Sequence, residues 1–308
     1  MGVRLDAFYR SLAHLEAAAV PWPRAVEMAT GGDPAWAPAV ALLAGGHPLS
    51  EAFEGRVPAL DLAGVRAAEV SGQLENTFLD LAKRAEDALA RERERKAAVA
   101  YPLIVIHLAA LLMPIPDLVV GNPRGAIGWA ALVLVPLYGW IAYRRAAQRA
   151  IDRTPRGGRP PPFTALLRTK AFVEEADARA LRALGWLHDA GVPHLEALPL
   201  AAHAGTGGRM AEDLVDAWAA ANAGQALATA WKRVPRELAA TLATGEQTGR
   251  LAEACAHEAA SLDGAATLRR ERQTAMIKPL AILLIGIVVG ARVVSFYAGM
   301  LRQAGIGR

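Results

Sequence analysis

The sequence predicts an all-α membrane protein with two homologous cytoplasmic helical bundles and three transmembrane helices. Three observations lead there: three long stretches almost free of charge, clusters of Lys and Arg at one end of each stretch, and a repeat in the intervening chain. Composition agrees. The 308 residues are 53% hydrophobic but only 6% aromatic, with a mean hydropathy of +0.21. That is too apolar for a disordered chain, and the dominance of Ala and Leu favours helix over strand. No segment shows the period-two alternation of a half-buried strand.

The first bundle is assigned to residues 1–97. Met1 leads into a charged amphipathic stretch (Arg4, Asp6, Arg10) rather than a secretory leader. Breakers divide the remainder of the bundle into segments sized for short helices: Val20-Pro21, Gly31-Gly32-Asp33-Pro34, Gly45-Gly46, Val57-Pro58 and Gly72. From Leu74 onward Phe78, Leu81, Ala85 and Leu89 recur at three and four residues, the spacing of one helix face.

Residues 98–143 are read as two membrane helices joined by a short outer loop. Ala97 to Pro116 carries no charge, and twenty helical residues cover about 30 Å, the thickness of a bilayer's hydrocarbon core. A second uncharged run, Gly125–Tyr143, follows the turn Gly121-Asn122-Pro123-Arg124. Residues 144–165 form a basic, proline-rich linker, 166–275 the second bundle, 276–301 the third membrane helix and 302–308 an outer tail. The third run, Pro279–Leu301, is interrupted only by Arg292.

Arg91, Arg93, Arg95 and Lys96 precede the first run, Arg144, Arg145 and Arg149 follow the second, and Arg269, Arg270, Arg272 and Lys278 precede the third. Such an excess marks the cytoplasmic side, so both bundles lie inside and the C-terminus outside. The net charge of +4 is thereby accounted for by topology, and no nucleic-acid partner is expected.

The bundles repeat. Leu12, Leu15, Ala18, Val20-Pro21 and Ala25 match Leu184, Leu187, Ala190, Val192-Pro193 and Ala197 at an offset of 172. A later block matches at an offset of 177: Val57-Pro58 with Val234-Pro235, Glu69-x-Ser71-Gly72-x-Leu74 with Glu246-x-Thr248-Gly249-x-Leu251, Arg95 with Arg272, and Pro102 with Pro279. Each copy ends in an apolar run, and no breaker separates its last helix from that run. A continuous helix is expected there, kinked at Pro102 and Pro279, where proline removes a backbone hydrogen bond.

These residues resemble the type II secretion F family, the inner-membrane platform proteins of type II secretion systems and type IV pili. The resemblance rests on Ala19-Val20-Pro21 and Gly191-Val192-Pro193, on Val57-Pro58 and Val234-Pro235, on the turns Glu69–Leu74 and Gly245–Leu251, and on Tyr101-Pro102; it spans about 4–115 and 172–300. It implies a mechanical role in the bacterial inner membrane. A hexameric assembly or secretion ATPase would meet the cytoplasmic bundles, while pilin or pseudopilin transmembrane helices and other inner-membrane assembly proteins would meet the membrane part. A small homo-oligomer is expected. Relative to the family pattern, the segment that usually precedes the first copy is expected to be missing, and the region between the first two runs is short.

The candidate positions are Glu69, Gly72, Glu246, Gly249, Pro102, Pro279 and Arg292. Each glycine can take positive φ and end one helix as the next begins. Each glutamate can cap a neighbouring helix or offer its charge to a partner. Arg292 lies fourteen residues into the third run, about 21 Å deep, where it either snorkels to the outer face or pairs with an acid such as Asp117 or a pilin carboxylate. His107, inside the first run, reads as a histidine bonded to a neighbouring helix.

No catalytic site, cofactor or metal is expected. The single cysteine, Cys255, excludes an internal disulfide and reads as a small core residue. His188, His194 and His203 lack the spacing of paired ligands. Gly205-Thr206-Gly207-Gly208 lacks the Gly-Lys pair of a phosphate loop and reads as a connector. The rival reading is a transporter or channel subunit, which needs more polar residues in its spans than His107, Asp117 and Arg292.

Overall fold

The computed structural model describes residues 3–112, 114–119, 123–152 and 161–303. The middle of the expected linker (153–160), part of the expected outer loop (120–122) and the end of the tail (304–308) lie outside the described residues, as do the side chains of Pro102 and Arg292. Among the described residues every regular element is helical.

Pro21 precedes α2 (Trp22–Thr30) and Pro58 precedes α5 (Ala59–Ser71), each with φ near −55°. A proline there has no amide to leave unbonded, and its ring fixes the entry angle. The first copy comprises α1 (Leu5–Ala17), α2, α3 (Ala37–Ala44), α4 (Leu49–Ala52), α5 and the start of α6 (Leu74–Leu112). After Pro114 come α7 (Ile115–Val119) and α8 (Pro123–Asp152). The second copy follows as α9 (Lys170–Asp189), α10 (His194–Ala204), α11 (Arg209–Asn222), a 3-10 turn at Leu227–Ala230, α12 (Arg236–Gln247) and α13 (Leu251–Gln303).

The copies agree element by element. Trp22 and His194 open α2 and α10 at the offset of 172; Ala59 and Arg236 open α5 and α12, and Leu74 and Leu251 open α6 and α13, at 177. The offset changes inside α11, whose 14 residues replace the 8 of α3.

Two compact units result. One comprises Met1–Ala90 and Arg149–Thr267, and so contains the helical parts of both copies. Phe8, Tyr9, Leu12, Phe53, Phe78 and Leu81 centre the core of the first copy; Leu181, Leu184, Leu187, Leu198, Met210 and Leu214 centre that of the second. Helix α5 serves both cores. Its Leu62 and Val65 pack into the first, and its Ala63 and Ala67 into the second. The small residues permit close approach: a Cβ added at Gly64 would lie 3.3 Å from the Trp186 ring. Arg84 stacks its guanidinium over the same ring, 4.4 Å from the centroid, a cation–π contact.

The other unit comprises Arg91–Gln148 and Leu268–Arg308. Here α6 continues through position 102 to Leu112, short of the end of the uncharged run, because Pro114 and Pro116 supply no amide hydrogens. Helix α13 continues through Pro279. His107 joins α6 to α8: its Nδ1 bonds the Leu103 carbonyl oxygen at 2.7 Å and its Nε2 the Tyr138 hydroxyl at 2.8 Å. A carbonyl only accepts, so Nδ1 donates to Leu103, and Nε2 shares a hydrogen bond with the Tyr138 hydroxyl. Ile104, Leu111, Ile127, Leu132, Val135, Ile282, Leu283, Ile287 and Val294 are at least 60% exposed. Among the described residues no helix is long and apolar enough to cross a membrane; the side chains of Leu280, Ala281, Leu284, Ile285 and Val288, within the third uncharged run, lie outside the described set.

Candidate functional site

The duplicated turn places two glutamates alike. Glu69, near the end of α5, accepts the Ser50 amide at Oε1 (3.3 Å) and the Ser50 hydroxyl at Oε2 (2.6 Å), at the start of α4. Glu246, its counterpart on α12, accepts the Leu227 amide at 3.1 Å, at the start of the 3-10 turn. Residues 50 and 227 are themselves related by the offset of 177, so one carboxylate reaches back to one helix N-terminus in each copy. Free amides and the helix dipole favour a carboxylate at such an end.

Three residues on from each glutamate, Gly72 takes φ +73° and Gly249 φ +70°. The chain reverses through hydrogen bonds from Gln73 to the Ala68 carbonyl (3.1 Å) and from Arg250 to the Gly245 carbonyl (2.8 Å). A Cβ at either glycine would meet nothing within 4 Å, so the left-handed backbone, not space, requires glycine. Gly245 differs: a Cβ there would lie 2.8 Å from that of Ala254, where α12 and α13 cross. The first copy has the buried Ala68 at that position.

From Glu69 an ionic chain crosses between the copies. Arg66 lies 3.6 Å from Glu69 and 2.5 Å, through Nε, from Glu196 on α10. Arg66 is held above the ordinary guanidinium range, first by its bond to Glu196.

Three carboxylates that periodicity does not flag organise the rest. Asp177, fully buried on α9, accepts the Met210 amide at 2.8 Å and pairs with Arg209 at 3.3 Å. Burial pushes its pKa up, while the amide and Arg209 pull it back. Asp213 accepts the amides of Lys232, Arg233 and Val234 and the Arg233 guanidinium, fastening the segment that leads into α12. Asp61 accepts the Tyr9 hydroxyl at 2.9 Å, and desolvation raises it to about 6 against the pull of Tyr9 and Arg84. The second copy has Leu181 and Leu238 in place of Tyr9 and Asp61. No spacing in the sequence separates these three acids from acids that face water.

The glycine-rich loop packs tightly on α9. A Cβ at Gly205 would lie 2.4 Å from that of Ala180, and one at Gly208 2.4 Å from Asp177 Oδ1; no room is left for a phosphate there. His188 and His194 stack with centroids 5.2 Å apart, and His188 is held below the ordinary imidazole range, first by burial. Among the described residues no group of three metal-ligating side chains gathers. Cys255 is buried against α9 at Gly185, and burial pushes its thiol up to about 12. Helix α13 carries Pro279 and the backbone of Arg292, and α6 that of Pro102.

This arrangement is a duplicated helical scaffold in which each copy hands its last helix to an apolar stretch. Residues 8–116 and 180–299 match the family model described as "Type II secretion system (T2SS), protein F". The two segments coincide with the two copies, and the chain belongs to that family. It is also 28% identical over 331 aligned positions to the type 4 fimbrial assembly protein PilC of Pseudomonas putida, covering 94% of this chain and 81% of the relative.

Proposed function

We propose that this chain is the inner-membrane platform of a type IV pilus or type II secretion machine, crossing the membrane three times with its N-terminus cytoplasmic and its C-terminus periplasmic. The domain limits follow the sequence: bundles at 1–97 and 166–275, spans within 98–143 and 276–301, the linker at 144–165 and the tail at 302–308. One observation carries the reading. Each family-matched copy runs in a continuous helix from a packed bundle into a stretch whose apolar side chains face outward. Such surface is costly in water and favourable in lipid.

On this reading the platform performs no covalent chemistry. It carries force from a separate hexameric ATPase on the cytoplasmic bundles to pilin or pseudopilin helices in the membrane, and it works as a homo-oligomer with other inner-membrane assembly proteins. The continuous helices support that coupling, since a helix transmits displacement better than a flexible linker. Glu69 and Glu246 hold the bundle turns that bear the load. Arg292 either snorkels to the outer face or pairs with an acid within the membrane.

Reporter fusions test the topology. Positions near 40 and 215 report cytoplasmic and the C-terminus reports periplasmic; opposite sides for the first two overturn the model. Deletion of the gene abolishes filament assembly, and Arg292→Leu weakens it if the arginine pairs with a subunit acid. Recovery of the intact chain from the aqueous fraction without detergent defeats the membrane assignment.

A further inference from the structure

On α8 an aromatic pair and an arginine pair adjoin. Trp140 and Tyr143 have ring centroids 5.5 Å apart, Trp140 is 49% exposed, and Arg144 and Arg145 follow directly, both exposed. The first carboxylate on α8 is Asp152, two turns further on. Aromatic rings favour the headgroup level of a bilayer, and arginines just beyond them meet lipid phosphates.

The bond between His107 and Tyr138 fixes the register of α6 against α8. α6 enters its apolar run from a basic end and α8 leaves through one. At 1.5 Å per residue, Arg144 and Arg145 lie about 9–11 Å from the level of Tyr138, and Lys96 about 17 Å from the level of His107. On α6, Lys96 pairs with Glu92 at 2.8 Å and Arg93 stands between Glu92 and Glu94, so the cations clear of carboxylates are those of α8.

We propose that Trp140, Tyr143, Arg144 and Arg145 form a binding site for the headgroup of an anionic phospholipid. The inference rests on the membrane reading given above. Two solvent-reaching arginines without a carboxylate nearby on their helix favour an anionic headgroup over a zwitterionic one, and the aromatic pair holds the site at headgroup depth. Each arginine contributes roughly fivefold to the preference, about 25-fold for the pair.

The test uses the full chain carrying Trp129→Phe, reconstituted in phosphatidylcholine vesicles containing about one-third phosphatidylglycerol, with either lipid brominated in turn. Brominated phosphatidylglycerol is expected to quench Trp140 well beyond its share of the bilayer. Arg144→Gln/Arg145→Gln should remove that excess, while Arg144→Lys/Arg145→Lys should retain most of it. Quenching in proportion to composition, or an excess that survives the glutamine pair, overturns the site. Loss of the excess in the lysine pair as well overturns its basis in charge. Displacement by millimolar inorganic phosphate shows a general anion site instead and also overturns it. Failure of the membrane reading looks different: the chain then leaves the vesicles on an alkaline wash, and neither brominated lipid quenches.

Discussion

Ala19 occupies, at φ +52°, the turn position that Gly191 fills at φ +79° in the second copy. The offset of 172 relates the two, and both precede the Val-Pro step that starts the next helix. An L-residue in this region costs about 1–2 kcal/mol, and glycine gives back about 0.4–1 kcal/mol through its freer unfolded chain. Ala19→Gly is therefore expected to stabilise the bundle by about 0.5–1 kcal/mol, and Gly191→Ala to destabilise it by a similar amount. Thermal unfolding of the two variants measures both; equal shifts of one sign contradict the account.

Glu69 gathers three donors, the Ser50 amide and hydroxyl and Arg66. Glu69→Ala should cost about 1–3 kcal/mol, the penalty for stranding partly buried donors. Arg66 and Glu196 are both partly exposed, so a double-mutant cycle between them should return a coupling of only about 0.5–1 kcal/mol. A coupling indistinguishable from zero would remove this pair from the seam between the copies.

Asp61 titrates at about 6 because burial outweighs the Tyr9 bond. The folded state then holds this proton more tightly than the unfolded chain does, so stability present below the ordinary aspartate range, near 3.9, is lost as pH rises through about 6. Asp61→Asn keeps an acceptor for Tyr9 and carries no charge. It should raise stability by about 1–2 kcal/mol at pH 7.5 and leave it unchanged near pH 3.5. Denaturant midpoints at the two pH values decide, and a pH-independent effect counts against desolvation as the cause.

Gly249 and Gly245 lie four residues apart and should fail for different reasons. Gly249→Ala costs about 0.5–1 kcal/mol, the left-handed penalty net of the gain through a stiffer unfolded chain, because its Cβ meets open space. Gly245→Ala drives a Cβ toward Ala254 at 2.8 Å, an overpacking worth about 1–3 kcal/mol. Ala254→Gly should rescue Gly245→Ala and leave Gly249→Ala unimproved. Rescue of both would show a shared cause.

Much of the architecture was legible in single residues. Pro21, Pro58, Pro193 and Pro235 mark helix starts because there proline's ring fixes the entry angle and its missing amide forfeits no helical bond. Gly72 and Gly249 mark helix ends because few other residues tolerate positive φ. The uncharged runs are legible because a polar side chain would be noticed at once. Asp177 and Asp213 were not, since an acid that caps a distant segment has the same spacing as one facing water; only their amide partners at 210 and 232–234 separate the two cases. The division of α5 was hidden as well. Leu62 and Val65 form a helical stripe of ordinary appearance, and the alanines on the other face give no sign of a second core beyond them. The end of α6 at Leu112 instead of Pro116 reflects Pro114 and Pro116, which a search for uncharged residues passes over.

Because α5 lends one flank to each half of the duplication, the halves cannot be separated cleanly. A fragment ending before the linker would bare an alanine-lined wall to water, and a fragment beginning after it would lack the helix that closes its own interior. Heating the bundle should accordingly melt both halves in one calorimetric transition.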